Sequence, residues 1–362
     1  MNQILLWLRA YRRGVAALAA GLAALGIFVL ARRDRAAMDW WLSHISMPIK
    51  RGVSFLVDPL PCSACELGAT VLIVAALVLL VCAVRRRRFA SWVLHMAVLL
   101  VWGYAAVCGL WGTQYYGTTF AEKAGMTAPP VSVEELAAVT DYFAARVNEM
   151  ASLVDRDANG LFAVDKREIL DGCTGLYDPL TERWPFLSGP ERRPKPALYS
   201  KLMSAWGFTG YLCPLVGEST LNVDSPAVFL PVTVAHELAH QRGVAAEQEA
   251  NFVGVMAATA SPKADYAYSG WLFGYLHLSN ALYAADPALA AESYQTLCEG
   301  ARTDLADNNA YWKQWEGPVK ETGEKVYTTF LQGYGQSLGM RSYGACVDLL
   351  VQEFLPNTST SD

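Results

Sequence analysis

The sequence predicts a mainly α protein, with three N-terminal transmembrane helices followed by a mostly helical outer domain that carries a few short strands. Three observations predict it. Of 362 residues, 53% are hydrophobic and only 17% are charged, against about 25% charged in soluble proteins, and the mean hydropathy is positive. The first 112 residues contain three apolar runs of bilayer-spanning length. Beyond them, helical periodicity is interrupted by one segment rich in Gly, Pro and β-branched residues. A formal net charge of −5 lacks the basic footprint that nucleic acid requires, so nucleic acid is not an expected partner.

The spans come in order. Gly14 to Ala31 is flanked by Arg12 and Arg13 before it and by Arg32, Arg33 and Arg35 after it. Its length, its far-side arginines and the lack of a small-residue cleavage site make it an anchor rather than a signal peptide. Leu67 to Val84 is followed at once by Arg85-Arg86-Arg87-Arg88, and Trp92 to Leu110 completes the set. Each has roughly the 17–25 residues needed to cross the hydrocarbon core. The four arginines occupy a short loop, where the positive-inside rule is strongest. That loop is therefore cytoplasmic, as is the N-terminus, and everything after Trp111 is extracytoplasmic. The expected location is the cytoplasmic membrane, multi-pass, with membrane lipid as a partner. On this reading the basic loop from Arg32 to Glu66 lies outside, and its Trp40, Trp41, Ile45, Val53, Phe55 and Leu56 suit an interfacial helix. Trp102, Tyr104, Trp111, Tyr115 and Tyr116 make an aromatic belt. The expected division is residues 1–112 as anchor and 113–362 as outer domain with a short disordered tail.

Within the outer domain, Ser132-Val133-Glu134-Glu135 is a capping box that opens a helix running to about Leu153. Pro185, Pro190, Pro194 and Pro196 make 184–197 a loop. Residues 198–231 read as short strands and turns, 231–283 as helical, and 310–354 as helical with a break near 333–339. The polar residues 357–362 read as disordered. Asp155 to Gly160 resembles the front half of a calcium loop, but Lys166 stands where a bidentate Glu belongs, so it reads as a turn. Of eight cysteines, Cys173, Cys213, Cys298 and Cys346 fall in the outer domain without a spacing that fixes a pairing. Cys62-Ser-Ala-Cys65 has redox-type spacing but no second pair to support it.

The chemistry concentrates at His236-Glu237-Leu238-Ala239-His240. On a helix, residues four apart share a face one turn apart, so both imidazoles can reach one zinc ion at about 2.0–2.1 Å. Glu237, beside the first ligand, is placed to take a proton from an attacking water and pass it to the leaving amine. With only five histidines in the chain, chance produces this pattern in roughly three of a thousand chains of like composition. Val232, Val234, Ala235, Leu238 and Ala239 make the helix apolar around most of its circumference, so these three polar groups would be buried. Buried polar groups without partners are costly, and a metal satisfies them.

A catalytic zinc takes a third protein ligand and keeps one position open. Gly243 suits the end of the motif helix. The next helix carries Glu247 and Glu249, which lie about 200° apart, so both cannot face one metal. The face through Glu247 continues as Ala250, Asn251, Gly254 and Ala258, small enough for close packing on the motif helix. Glu247 is the expected ligand and Glu249 the alternative. Asn251, one turn on, is positioned to brace a ligand by a hydrogen bond. Tyr268, His277 and Tyr343 are the candidates for a group that stabilises a developing oxyanion.

The stretch Gly210-Tyr-Leu-Cys-Pro-Leu-Val-Gly-Glu-Ser-Thr-Leu-Asn222, with Leu230-Pro231, HELAHQRG and EQEANF, resembles the bacterial membrane-protein family catalogued as domain of unknown function 3810. WGTQYY at Trp111–Tyr116, YSGWL at Tyr268–Leu272 and SYG at Ser342–Gly344 extend the resemblance over nearly the whole chain. It implies an N-terminal membrane anchor and a zincin-like, zinc-peptidase-like domain with no assigned substrate. Glu247-Gln-Glu-Ala250-Asn251 is also similar to the Glu-x-x-Ala-Asp ligand motif of membrane-anchored gluzincins, which implies Glu247 as ligand and Asn251 as its brace, with Asn here in place of Asp. The resulting expectation is a zinc-dependent metallopeptidase acting on an extracytoplasmic peptide or protein, with Zn²⁺ on His236, His240 and Glu247. Two rival readings are a non-enzymatic zinc-binding membrane scaffold or sensor, and a zinc hydrolase of a non-peptide amide.

Overall fold

A computed structural model describes residues 11–127, 131–333 and 343–358. Helices dominate, and the strands are two or three residues long. The chain forms two compact units: the described residues up to Thr118 together with Cys213–Gly217, and Thr119–Leu212 together with the described residues from Glu218 onward.

The N-terminal unit contains α1 (Arg12–Ala31), α2 (Arg35–Trp41), α3 (Met47–Val57), α4 (Ala64–Arg85) and α5 (Phe89–Leu110). Of these, α1, α4 and α5 are long and apolar enough to cross a membrane, and they coincide with the three predicted runs. Leu77 and Leu100 are exposed on them, as side chains that face lipid in place of water would be. Gly21 lets α1 and α5 meet, since a Cβ there would lie 2.8 Å from Val101 Cγ1. Residues 35–57 are helical, as the interfacial-helix expectation requires, with a π-helical turn at Leu42–Ser46. Trp41 Nε1 and Ser46 Oγ both donate to the Gly109 carbonyl at the end of α5. Asp39 accepts from the Thr118 backbone N and hydroxyl at 2.8 and 2.6 Å.

The C-terminal unit opens with α6 (Phe120–Ala124) and α7 (Val133–Ala151), the latter entered through the predicted capping box of Ser132 and Glu135. Two short helices follow, α8 (Lys166–Asp171) and α9 (Asp178–Arg183), then β1 (Lys195–Pro196), α10 (Ser200–Trp206), β2 (Gly210–Leu212) and β3 (Ser219–Leu221). The sheet has the order β1-β3-β2, with β1 parallel and β2 antiparallel to β3. The remaining elements are α11 (Leu230–Gln241), α12 (Glu247–Thr259), α13 (Ala264–Ala285), α14 (Pro287–Thr296), α15 (Glu299–Lys313), α16 (Pro318–Gly333) and α17 (Tyr343–Thr358). The core runs between α7, α11, α12, α13 and α17. Phe143, Trp271 and Phe354 meet edge to face with centroids 4.8–5.4 Å apart, a geometry that adds to their burial energy. Gly274 makes room for the Phe143 ring, with which a Cβ there would collide.

Three local expectations need revision. Residues 198–231 contain α10 as well as strands. Its helix formers run from Ser200 to Trp206 until Gly207, at φ +80°, closes it in the left-handed region, where glycine carries no Cβ penalty. The helical stretch 310–354 is broken earlier than expected, at Gly317 with φ +150°; the expected break at 333–339 lies outside the described residues beyond Gly333. The C-terminal helix continues to Thr358, past the start of the expected disordered tail, whose residues 359–362 lie outside the described residues. The calcium-like segment is a turn: Asp157 spends its Oδ1 on the backbone N–H groups of Asn159 and Leu161. No disulfide links any of the eight cysteines, Cys62 and Cys65 included.

Candidate metal centre

α11 places His236, Glu237 and His240 because it is a regular helix held on every side. Val232 N, an orphan donor of the first turn, gives its proton to Ser269 Oγ on α13. The buried Tyr177 hydroxyl donates to Ala235 O at 2.7 Å. At the C-terminus, Gly243 (φ +90°) turns the chain, while Gly243 N and Val244 N close on the carbonyls of His240 and Ala239. The two residues after the motif lock that end. Arg242 donates to Leu238 O and to Glu191 and lies 4.0 Å over the Tyr177 ring. Glu191 also accepts from Gly175 N and Tyr177 N, and Gln241 Nε2 donates to Ser219 Oγ.

Gly254 brings α12 against this helix: a Cβ there would lie 3.0 Å from His236 N and 3.1 Å from its Cα. This is the close packing that the small residues of that face predicted. It delivers Glu247, in the first turn of α12, onto the two imidazoles. One nitrogen from each of His236 and His240 and a carboxylate oxygen of Glu247 lie within 4.8 Å of one another. His236 Nε2 is 3.4 Å from Glu247 Oε2, and His240 Nε2 is 3.6 Å from Oε1. His240 Nδ1 contacts Val244 O at 2.6 Å. A carbonyl can only accept, so Nδ1 carries a proton, and in the neutral form of the ring Nε2 is the nitrogen left bare toward the cluster.

The electrostatics follow from these contacts. Burial works against charge on His240, but the Glu247 carboxylate outweighs it and pushes the imidazole up to about 9. Glu247 feels the reciprocal effect: burial favours its neutral form, yet the two imidazoles hold it well below the usual carboxylate range. Glu237 is 3% exposed. Burial raises its pKa, with His240 and His236 opposing. Its Oε2 has no hydrogen-bond partner among the described residues. Gly210 of β2 lies beside that carboxylate, and a Cβ there would meet Glu237 Oε1 at 2.7 Å.

Other expected residues fall elsewhere. Glu249 is not part of the cluster, because its carboxylate caps α6, accepting from Phe120 N at 2.9 Å and Ala121 N at 3.0 Å. Asn251 follows Glu247 by one turn but makes no hydrogen bond to His236, His240 or Glu247 among the described residues, so its bracing role finds no contact to support it. Tyr268 is buried and donates to Asp304 at 2.6 Å, with Arg156 beside it. It is committed to that ion pair and turned away from the cluster, because nine residues separate it from His277 on α13 and place the two on opposite faces. His277 is near enough to His236 for charge repulsion to add to burial, which together push its imidazole down to about 4. Tyr343 opens α17, and its side chain lies outside the described residues.

One residue at the site carries no sequence signal. Tyr327, on α16, donates its hydroxyl to Glu247 Oε1 at 2.6 Å. It stands eighty residues from its partner, in no motif. Only its spacing on an amphipathic helix hints that it faces inward.

The donor set fits a zinc ion: two imidazoles and one carboxylate are a usual complement for that metal, and the unpartnered buried oxygen of Glu237 lies beside them. A family model described as "Protein of unknown function (DUF3810)" matches residues 43–351. No curated protein and no solved structure matches the chain.

Proposed function

The chain belongs to the DUF3810 family, and we propose that it is a membrane-anchored, zinc-dependent metallopeptidase that hydrolyses peptide bonds of an extracytoplasmic substrate. The observation that carries this reading is the convergence of His236, His240 and Glu247 within 4.8 Å beside a buried carboxylate, Glu237, one oxygen of which has no hydrogen-bond partner among the described residues. A purely structural zinc site has no use for that fourth group.

In this reading His236, His240 and Glu247 hold the ion. When bound, zinc would supply a Lewis acid for the scissile carbonyl and lower the pKa of a water toward about 7. Glu237 accepts the proton of the attacking water and returns it to the leaving amine. Burial suits it to that exchange, because a carboxylate with a raised pKa takes up and releases a proton more evenly near neutral pH. β2 is an edge strand, paired with β3 on one side only, and Gly210 brings it against Glu237. An extended peptide adding to that edge would run past the general base. The arginine-rich loop between α4 and α5 supports a cytoplasmic position for that loop and an outer position for the site.

The test is metal analysis of the detergent-solubilised full chain and its Glu237→Gln variant, with a broad peptide-cleavage assay on both. Both proteins should hold one zinc, and only the unaltered chain should cleave. Equal activity in the variant refutes the mechanism. Stoichiometric zinc without cleavage of any peptide favours the scaffold, sensor or non-peptide amidase readings.

A further inference from the structure

We propose that Tyr327 is a positioning residue of the metal centre, holding the Glu247 carboxylate so that one of its oxygens remains the freer to meet the ion; this rests on the zinc reading above. The phenol donates to Oε1 at 2.6 Å, while Oε2 is the oxygen nearer His236, at 3.4 Å. A carboxylate with one oxygen already accepting a short hydrogen bond is restrained in rotation about its Cγ–Cδ bond and biased toward binding through the other. A one-oxygen ligand leaves room at the ion for both water and substrate, as a catalytic site needs.

The helix that carries Tyr327 is docked for this task. Gly323 of α16 lies against the backbone at the end of α10, where a Cβ would approach Trp206 O at 2.9 Å. Phe208, two residues before β2, meets the Tyr327 ring edge to face at 5.4 Å. Val319 and Val326 are exposed, so the helix is anchored along one face only. Tyr327 thus ties Glu247 to the segment leading into β2, the strand beside the general base. Without it, the Glu247 carboxylate, in the first turn of α12, keeps among the described residues only the two imidazoles as partners, and these are themselves ligand candidates.

The experiment uses the full chain in detergent, as the unaltered protein and as Tyr327→Phe, Phe208→Ala and Glu247→Ala. Zinc affinity is measured by chelator competition, and Co²⁺ is loaded into each metal-free protein to record its visible absorption. Tyr327→Phe should bind zinc about 10–100-fold more weakly and change the intensity and position of the cobalt bands, because the carboxylate is freed to bind through either oxygen. Phe208→Ala should move both readouts in the same direction by less, and thermal unfolding of the metal-free proteins should show that Tyr327→Phe remains folded. Glu247→Ala should lose the metal. If affinity and cobalt spectrum of Tyr327→Phe match those of the unaltered chain while Glu247→Ala loses the metal, the positioning role is overturned and the zinc site stands. If the unaltered chain takes up neither metal, the zinc reading fails and this inference with it.

Discussion

Glu247 meets the two imidazoles whereas Glu249, two residues on, caps α6, and replacing Glu249 tests whether the two carboxylates can be separated. Glu249 is 5% exposed and accepts from two backbone donors of α6, Phe120 N at 2.9 Å and Ala121 N at 3.0 Å. Hydrogen bonds to charged groups contribute about 1.5–3 kcal/mol each. Against this stands the cost of burying the carboxylate, which is large enough to raise its pKa despite both donors. Glu249→Ala should therefore release α6 by a net of about 2–4 kcal/mol, part of it the penalty of stranding a buried N–H. At about 1.4 kcal/mol per factor of ten, amide hydrogen exchange across Phe120–Ala124 should accelerate by about 30- to 700-fold. Phe120 packs edge to face on Trp184 at 5.1 Å, so fluorescence from that tryptophan should shift as well. Zinc affinity should stay within about threefold of the unaltered chain. A Glu249→Ala protein that keeps its exchange protection but loses zinc would refute the assignment of the two glutamates.

Further outcomes follow from the same coordinates. Gly254→Ala places a methyl 3.0–3.3 Å from the His236 backbone and Cβ, and overpacking of this kind costs about 1–3 kcal/mol; denaturant midpoint and zinc affinity should fall together, whereas a drop in neither would show that α11 and α12 are less closely apposed. Tyr268→Phe removes the 2.6 Å bond to Asp304 and should cost about 1.5–3 kcal/mol of stability with turnover per zinc unchanged; a loss of turnover at full stability would restore Tyr268 to the reaction. His277, buried and lowered from 6.5 to about 4, is a histidine whose folded form binds protons less readily than its unfolded form. Its contribution is present above pH 6.5 and is lost as pH falls toward 4, amounting to about 3 kcal/mol. The metal-free chain should therefore lose that much stability relative to His277→Gln between pH 7 and pH 4, and parallel pH curves would exclude the buried neutral imidazole.

What the sequence made legible and what it hid divide along physical lines. The spans were readable because a bilayer imposes length and composition on contiguous residues, and α1, α4 and α5 appear where the apolar runs fall. The capping box of α7 was readable because its two side chains act within four residues. The meeting of His236, His240 and Glu247 was readable for the same reason, since the two histidines are one turn apart and Glu247 lies only seven residues on. The face argument brings Glu247, and not Glu249, to the two imidazoles because α12 approaches closely, which Gly254 permits. The direction of Tyr268 was not legible because an aromatic on a nearby helix can point either way, and its hydroxyl is engaged by Asp304, thirty-six residues downstream. Tyr327 was invisible because its placement depends on how α16 docks against Trp206 and Phe208, a contact over more than a hundred residues. The Gly, Pro and β-branched residues of 198–231 suggest strands and turns, yet Gly207 closes a helix and does not abolish it.

The absent side chain at position 210 makes the edge strand and the buried acid beside it a single mechanical part. A Cβ at position 210 would meet the Glu237 oxygen at 2.7 Å, so, on the proposed peptidase reading, a chain laid along that strand that shifted it would pass the shift to the carboxylate. In such an arrangement the seating of a ligand and the readiness of the acid need no messenger between them, and an imperfectly fitting ligand would leave the acid out of place.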